Sequence, residues 1–322
     1  MLKKILRDNA AINLPIRKII RAIHTFVTPL DRLTSLYRVY GVVNLNILDV
    51  SFNMYSKSDD HIVNEIFYFS DYEKSEFRLI KELTKMSKYF IDVGANTGVF
   101  SIFAAASNPT LSIISFEPHP GNFKRLITNI ALNKLQNITL YQNALGSSTK
   151  DLEFTIPSDE SISTTASANE NYVKNFHDIS YCSIAVKQRT IDELFVSLPL
   201  TSGDTIKLDV EYYELEVLKG ARSTLANKRP MVMIEILQYE ILIKQFPAMG
   251  GKINENHADE VFELFHDLGY HGYSIGLSKL EYITRIKGQT NRNFLFLSRK
   301  LSQNTVSYGQ IESELIQANR VT

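Results

Sequence analysis

Three carboxylates and one glycine-bearing turn are the parts of this sequence best placed to do chemistry. Asp209 and Glu211 follow the apolar "TIKL", and Glu235 comes near the end of the apolar "MVMIEI". Residues two apart in an extended chain point the same way, so Asp209 and Glu211 can face one cleft. Carboxylates so placed can take a proton from a hydroxyl, orient it, or hold a divalent cation through oxygen. Acids arranged as a base show the same pattern as acids arranged for a metal, and no metal is assigned here. The structural alternative has Asp209 capping the next helix, Glu211 pairing with a surface lysine and Glu235 stabilising a sheet edge.

The turn is "YFIDVGANTGVFS", residues 89 to 101. A dinucleotide fingerprint would put glycines at 94, 96 and 99 so that backbone can approach a pyrophosphate. Positions 96 and 99 are Asn and Val, a poor phosphate cradle that disfavours a nicotinamide oxidoreductase. Asp92-x-Gly94-x-Asn96-x-Gly98 keeps glycine where the turn is tightest and adds a carboxylate and an amide for a polar ligand without phosphate. The helix opening near Gly98 still offers unpaired N–H groups and a positive dipole end. A carboxylate-bearing nucleoside suits it. Nineteen residues on, after "LSIISF", stands Glu117, placed to accept hydrogen bonds from both ribose hydroxyls.

Other candidates have weaker support. His119 in "EPHPGN" reads better as a turn residue at a helix start than as a ligand group, and His177 as a solvated loop histidine better than as an acid or base. Tyr72 and Glu73 are either a lid over the ligand or the start of a surface helix. Cys182, the only cysteine, reads as a small neutral side chain, excludes an internal disulfide and fits a reducing compartment.

The elements that must carry these groups alternate. Apolar runs at Tyr89 to Val93, Leu111 to Phe116, Ile138 to Tyr141, Thr205 to Leu208, Met231 to Ile236, Tyr270 to Ile275 and Phe294 to Leu297 have strand length. Amphipathic segments separate most of them, at Gly98 to Ala106, Pro120 to Leu132, Tyr213 to Ala226 and Ala258 to Leu268. This pattern predicts a doubly wound α/β domain, a mostly parallel sheet with helices on both faces, which binds ligands beyond the carboxyl ends of its strands. Helices are expected at Ile16 to Phe26 and Asp31 to Tyr40, and a strand pair in "VNLNILDVSFNMY". A long insertion runs from Ser147 to Arg189 with a polar, unpatterned middle.

The chain has 322 residues with 35 basic and 35 acidic side chains and no long run of one sign, so nucleic acid is not an expected partner. No apolar run approaches about 18 residues, and the opening lacks a signal peptide's apolar core, so neither a membrane span nor export is expected. The expected location is cytoplasmic. "IRKIIRAIHTF" can pack on its own domain or rest peripherally on an anionic membrane as a basic amphipathic helix. Composition implies no particular oligomeric state.

"FIDVGANTGVFSIFAA", "SFEPHPGNFKRLITNIALN", "LYQNALGSS", "VKQRTIDEL", "IKLDVEYYELEVLKGA", "MVMIEI" and "NRNFLFLS" resemble, in that order, the FkbM family of S-adenosylmethionine-dependent methyltransferases across roughly residues 85 to 300. The resemblance implies a class I, Rossmann-like fold, with seven strands of which one is antiparallel. It implies S-adenosylmethionine as cofactor, with Asp92, Gly94, Ala95, Asn96 and Gly98 on the methionine side, Glu117 at the ribose, Asn143 and Ala144 at the adenine edge, and Asp209 beside them. The implied reaction is O-methylation of a hydroxyl on a sugar, glycan or glycosylated metabolite; from their places at the strand ends, Asp209 is the expected base or acceptor-orienting group, Glu211 is expected to contact substrate or bind the loop, and Glu235 to touch substrate or stabilise the sheet edge. Its domain would span 61 to 300, with 147 to 189 inserted near the substrate side, between an extension of residues 1 to 60 and a tail of 301 to 322. The family commonly reads Asp-Val-Glu-Gly where this chain has Asp209-Val210-Glu211-Tyr212. Glycine there would permit close approach or positive φ, and Tyr212 keeps open a second reading, a catalytically silent binding protein on the same nucleoside fold.

Overall fold

The computed structural model describes residues 19, 38–57, 59–68, 72–158, 165–176 and 180–318. The two expected N-terminal helices fall almost wholly outside these residues, as does His177. The expected strand pair forms as β1 (Tyr40–Ile47) and β2 (Val50–Lys57). Leu48 and Asp49 make its two-residue turn with φ of 49° and 68°, the backbone twist that suits a tight hairpin. Tyr40, expected at a helix end, opens β1 opposite Lys57, because Val43 and Leu45 turn inward with the strand's period of two.

Next come α1 (His61–Tyr68), α2 (Lys74–Leu83), β3 (Tyr89–Val93), α3 (Val99–Ser107), β4 (Ser112–Phe116), α4 (Pro120–Leu132), β5 (Ile138–Tyr141), β6 (Ala144–Leu145) and β7 (Lys150–Pro157). They are followed by α5 (Glu170–Phe176), β8 (Tyr181–Arg189), α6 (Ile191–Leu194), β9 (Thr205–Leu208), α7 (Glu214–Lys219), α8 (Arg222–Asn227), β10 (Met231–Glu235) and α9 (Tyr239–Gln245). The last elements are α10 (His257–Asp267), β11 (His271–Ile275), β12 (Lys279–Ile283), β13 (Asn293–Leu297), β14 (Thr305–Ser307) and α11 (Ile311–Ala318).

The main sheet has the order β14-β12-β11-β13-β10-β9-β3-β4-β5. Its expected seven strands are all present, with β13 running against both neighbours, but the sheet has nine strands of mixed direction. The seven-stranded, mostly parallel expectation is therefore corrected. A hairpin partner, β12, covers the edge of β11, and β14 then covers β12, so residues after 300 contribute to the sheet. The expected single helix from Tyr213 to Ala226 is two, α7 and α8. The chain breaks at Gly220, where a Cβ would lie 2.0 Å from the Gly146 carbonyl oxygen, so only glycine permits that approach. Within the insertion the described residues form β7, α5 and β8, and β6, just before it, joins β8 and β7 in a small sheet of order β6-β8-β7.

The core strands are buried on both faces. Phe90, Met231, Met233, Leu295 and Leu297 pack with α2 and α3, while Ile91, Val93, Ile206, Leu208, Val232 and Ile234 pack with α7, α8 and α10. By the period of two, Asp92, Lys207, Asp209 and Glu235 lie on the first of these faces. There the interior must accommodate charge.

The hairpin is tied to the glycine turn through α4. Asn129, fully buried, accepts from the Tyr55 N–H and donates to the Thr97 carbonyl, both at 2.8 Å. Asn133 brackets Asn53 in the same manner, and Arg125 holds Asp59 through two hydrogen bonds of 3.1 and 3.0 Å. Asn129→Ala would strip one partner from each of two backbone groups, with an expected loss of about 1–3 kcal/mol in urea denaturation. A loss under about 0.5 kcal/mol would mean that Asn129 does not couple hairpin to turn.

Candidate active site

One cavity of about 510 Å³ opens at the carboxyl ends of β3, β4, β9 and β10. That volume lies in the range of small-molecule sites, about 300–1,000 Å³. On one side are Gly94, Ala95, Asn96, Glu117, Asn143 and Ala144; on the other are Asp209, Glu211 and Glu235. Asp92 and Gly98 do not line it. Gly98 precedes α3 at φ 95°, and Asp92 lies beneath the turn, fully buried.

The turn is shaped by contact with β9. Gly94 has φ 84°, and a Cβ there would lie 1.8 Å from the Asp209 carbonyl oxygen, so glycine is required by both conformation and space. Asn96 also takes a left-handed φ, 52°. Glu117 fixes the turn from below: its carboxylate accepts from the Asn96 N–H and the His119 N–H, each at 2.8 Å. Burial pushes the Glu117 pKa up to about 7 against the lowering effect of those bonds. His119 caps α4, its Nδ1 accepting from the N–H groups of Gly121 and Asn122 at 3.0 and 3.1 Å. Burial lowers its pKa, which favours the neutral ring that a cap acceptor needs. The turn-residue reading of His119 holds.

At the other side the organising group is Lys207. It lies inside β9, beside Asp92 on β3 and Met233 on β10, and is 4% exposed. Its ammonium donates to Asp209 Oδ2 at 2.9 Å and lies 4.2 Å from the Phe100 ring centre. Burial works against that charge, but the carboxylates of Asp209, Asp92 and Glu73 outweigh it and raise the pKa above the usual lysine value. Asp209 responds in kind. Burial raises its pKa, yet the Lys207 charge and hydrogen bond, with a further bond from Glu235, bring it below the ordinary value.

The neighbouring acids move the other way. Burial and the Asp209 charge raise Glu73 to about 7 and Glu211 to about 8, and hold Glu235 well above the ordinary value despite Arg292. Asp209 is thus the anion and Glu235 the proton carrier of their shared bond. Arg292 at the start of β13 reaches Glu235 Oε1 at 3.0 Å, because an antiparallel strand begins at the end where its parallel neighbours finish. Glu211, partly exposed at the rim, accepts from the Tyr172 hydroxyl at 2.7 Å. Glu73 and Tyr72 line the cavity wall.

The structure therefore brings together Gly94, Ala95, Asn96, Glu117, Asn143, Ala144, Asp209, Glu211 and Glu235, and leaves Asp92 and Gly98 behind the wall. Lys207, Tyr172 and Arg292 were not anticipated. Lys207 had a signal, a lone lysine inside the apolar "TIKL"; Tyr172 lies in the unpatterned insertion and had none. Among the described residues no group of three or more His, Cys, Asp or Glu is arranged to hold a metal ion, and no helix is long and apolar enough to cross a membrane.

Comparison with known proteins places the chain in a family. The chain is 30% identical over 165 residues to the hexuronic acid methyltransferase AglP of Haloferax volcanii, which covers 51% of this chain and 62% of that protein. It is 32% identical over 175 residues to methyltransferase sdnD of Sordaria araneosa, covering 52% and 61%. The chain spans about six-tenths of the length of these two relatives. Among solved structures it is similar to the methyltransferase FkbM of Methylobacillus flagellatus, at 14% identity and a TM-score of 0.39, over 89% of this chain and 59% of that one. The sequence profile of the methyltransferase FkbM domain matches residues 92–271, more than half of the chain, from the glycine turn through the strand ends that carry the carboxylates. On that match, the chain belongs to the FkbM-domain family of S-adenosylmethionine-dependent methyltransferases.

Proposed function

We propose that the protein methylates a hydroxyl of a sugar, a glycan or a glycosylated metabolite. The observation that carries this reading is one continuous cavity joining the turn and Glu117 to the carboxylates just past β9 and at the end of β10. The residues fit S-adenosylmethionine. Five acids line the space, Glu73, Glu117, Asp209, Glu211 and Glu235, which suits a ligand with a sulfonium and an ammonium. Gly94, Ala95 and Asn96 would hold its methionine part, Glu117 its ribose, and Asn143 with Ala144 its adenine edge. Bound there, the cofactor supplies an activated methyl group.

The chain's own residues manage the acceptor. An alcohol is a weak nucleophile at neutral pH and benefits from a base near its own working pH. Glu211, with a pKa near 8, fits that role better than Asp209, whose pKa is depressed. Asp209, held by Lys207, instead accepts a hydrogen bond from the acceptor and orients it. Glu211 takes the hydroxyl proton as the oxygen gains its methyl. Asp92, without access to the cavity, acts through Lys207. Beside the acids, Leu237, Ile241 and Leu242 offer an apolar wall for the C–H face of a sugar ring or an apolar aglycone. The hexuronic acid named for the AglP relative supports a sugar acceptor. Tyr212, which kept a silent binding protein in view, lies outside the cavity lining and takes no acceptor space.

Radiolabelled methyl donor should transfer label to at least one of a panel of neutral sugars, uronic acids and oligosaccharides. Label appearing only on simple alcohols or amines would overturn the sugar assignment. In calorimetry, S-adenosylhomocysteine should bind one to one, and Gly94→Ala should weaken it more than tenfold by forcing the turn away from Asp209. An intact chain that does not bind it refutes the nucleoside site. A base must be deprotonated to act, so kcat/KM should rise with pH through about 8. Glu211→Gln should abolish that limb and cut the rate by roughly 10²–10⁴; an unchanged limb would remove Glu211 from the chemistry.

A further inference from the structure

Glu211 lies on a loop that should not hold it still. Glu211 and Tyr212 both have left-handed backbone, φ 54° and 68°, a conformation that favours glycine, and the glutamate side chain has several rotatable bonds. Something outside the loop must direct its carboxylate.

We propose that Tyr172, carried by the inserted helix α5, is the positioning residue for Glu211, and that Tyr212, in the family's glycine position, is the surface that holds Tyr172 in place. The inference rests on the reading of Glu211 as the acceptor's base. Tyr172 is 1% exposed, and its hydroxyl donates to Glu211 Oε2 at 2.7 Å. Its ring stacks on Tyr212, with centres 5.7 Å apart and planes 2° from parallel. Tyr212 in turn stacks on His257 at 4.4 Å and 24°. His257 is itself fixed by Glu214, Nε2 to Oε2 at 2.8 Å, while Glu214 Oε1 accepts the Tyr212 N–H at 3.1 Å. The Tyr212 hydroxyl donates to the Asn254 carbonyl at 2.6 Å. Three rings from three separate elements thus form one ladder, packed with Val173, Leu242, Met249 and Ile253.

The same segment also secures the loop's backbone. Ser167 Oγ donates to the Glu211 carbonyl at 2.6 Å, and Asn169 Nδ2 to the Tyr212 carbonyl at 3.3 Å. A glycine at 212 would relieve the backbone but remove the ladder's middle ring. The insertion is then a working wall of the active site. Burial holds the Tyr172 phenol well above its ordinary pKa, so it stays a donor, and its bond favours the ionised form of Glu211.

The test is the pH profile of full-length Tyr172→Phe, which keeps the stack and deletes only the hydroxyl. The kcat should fall about tenfold with KM for the methyl donor unchanged, and the rising limb should move up by roughly half to one pH unit. Tyr212→Phe keeps the ring and loses only the Asn254 bond, so its limb should stay in place. A limb lost in Glu211→Gln but unmoved in Tyr172→Phe overturns this inference alone, including where Tyr172→Phe merely lowers stability. A limb that survives Glu211→Gln overturns the base reading and this inference with it.

Discussion

The ion pair between Lys207 and Asp209 is the constraint on which the site depends. An unpaired ammonium inside a sheet covered on both faces would be costly, and a buried charge persists only when paired and hydrogen-bonded. Lys207 finds that pairing just past the end of its own strand, in Asp209 at 2.9 Å, and in the charge of Asp92 on the neighbouring strand. Once Asp209 is fixed as the anion, the acids around it cannot all ionise. Glu73, Glu211 and Glu235 are pushed upward, first by burial and then by the Asp209 charge, while Arg292 reaches Glu235 at 3.0 Å and Glu73 at 4.0 Å. The distribution of protons across the cavity thus follows from burial first and from the Lys207–Asp209 pair second.

A second constraint is geometric. The Gly94 turn and the chain after β9 touch so closely that a methyl group cannot fit between them. The loop after Asp209 must then turn sharply, and it does so through two non-glycine residues with positive φ. Left-handed backbone costs such residues about 1–2 kcal/mol each. Aromatic pairs contribute about 0.5–1.5 kcal/mol beyond their buried area, so Tyr212, stacked on both Tyr172 and His257, offsets much of that strain. Tyrosine in place of glycine trades backbone ease for a link to the insertion.

The sheet was legible because its strands are short, apolar and separated by amphipathic helices, and all seven expected strands are present. The covering strands were not. "KLEYI" and "TVS" are short and half polar, as edge strands are, and nothing local distinguishes them from loop. Most of the candidate site was legible as residue types at strand ends. Asp92 reads as a ligand group in the turn, but the period of two sends its side chain inward, where Ser101 donates to it at 2.5 Å. Tyr172 was beyond reach, since its role depends on a contact across 39 residues of chain. Lys207 stands out in the apolar "TIKL", but a lysine in a strand is ordinarily one that points to solvent, and its burial shows only in the fold.

Raised carboxyl pKa values set stability and catalysis against each other. A group whose pKa is higher in the folded than in the unfolded chain stabilises the fold fully below its unfolded value, about 4.3 for glutamate, and loses that contribution as pH rises through the folded value. For Glu73, Glu117 and Glu211 that loss runs up to about 7, 7 and 8. Burial in the cavity therefore favours protonated acids over the pH range in which Glu211 must ionise to serve as a base. A cation in the cavity reverses the preference, because opposite charge within about 4–6 Å favours the ionised carboxylate. A cofactor carrying a sulfonium and an ammonium would thus bind with release of protons.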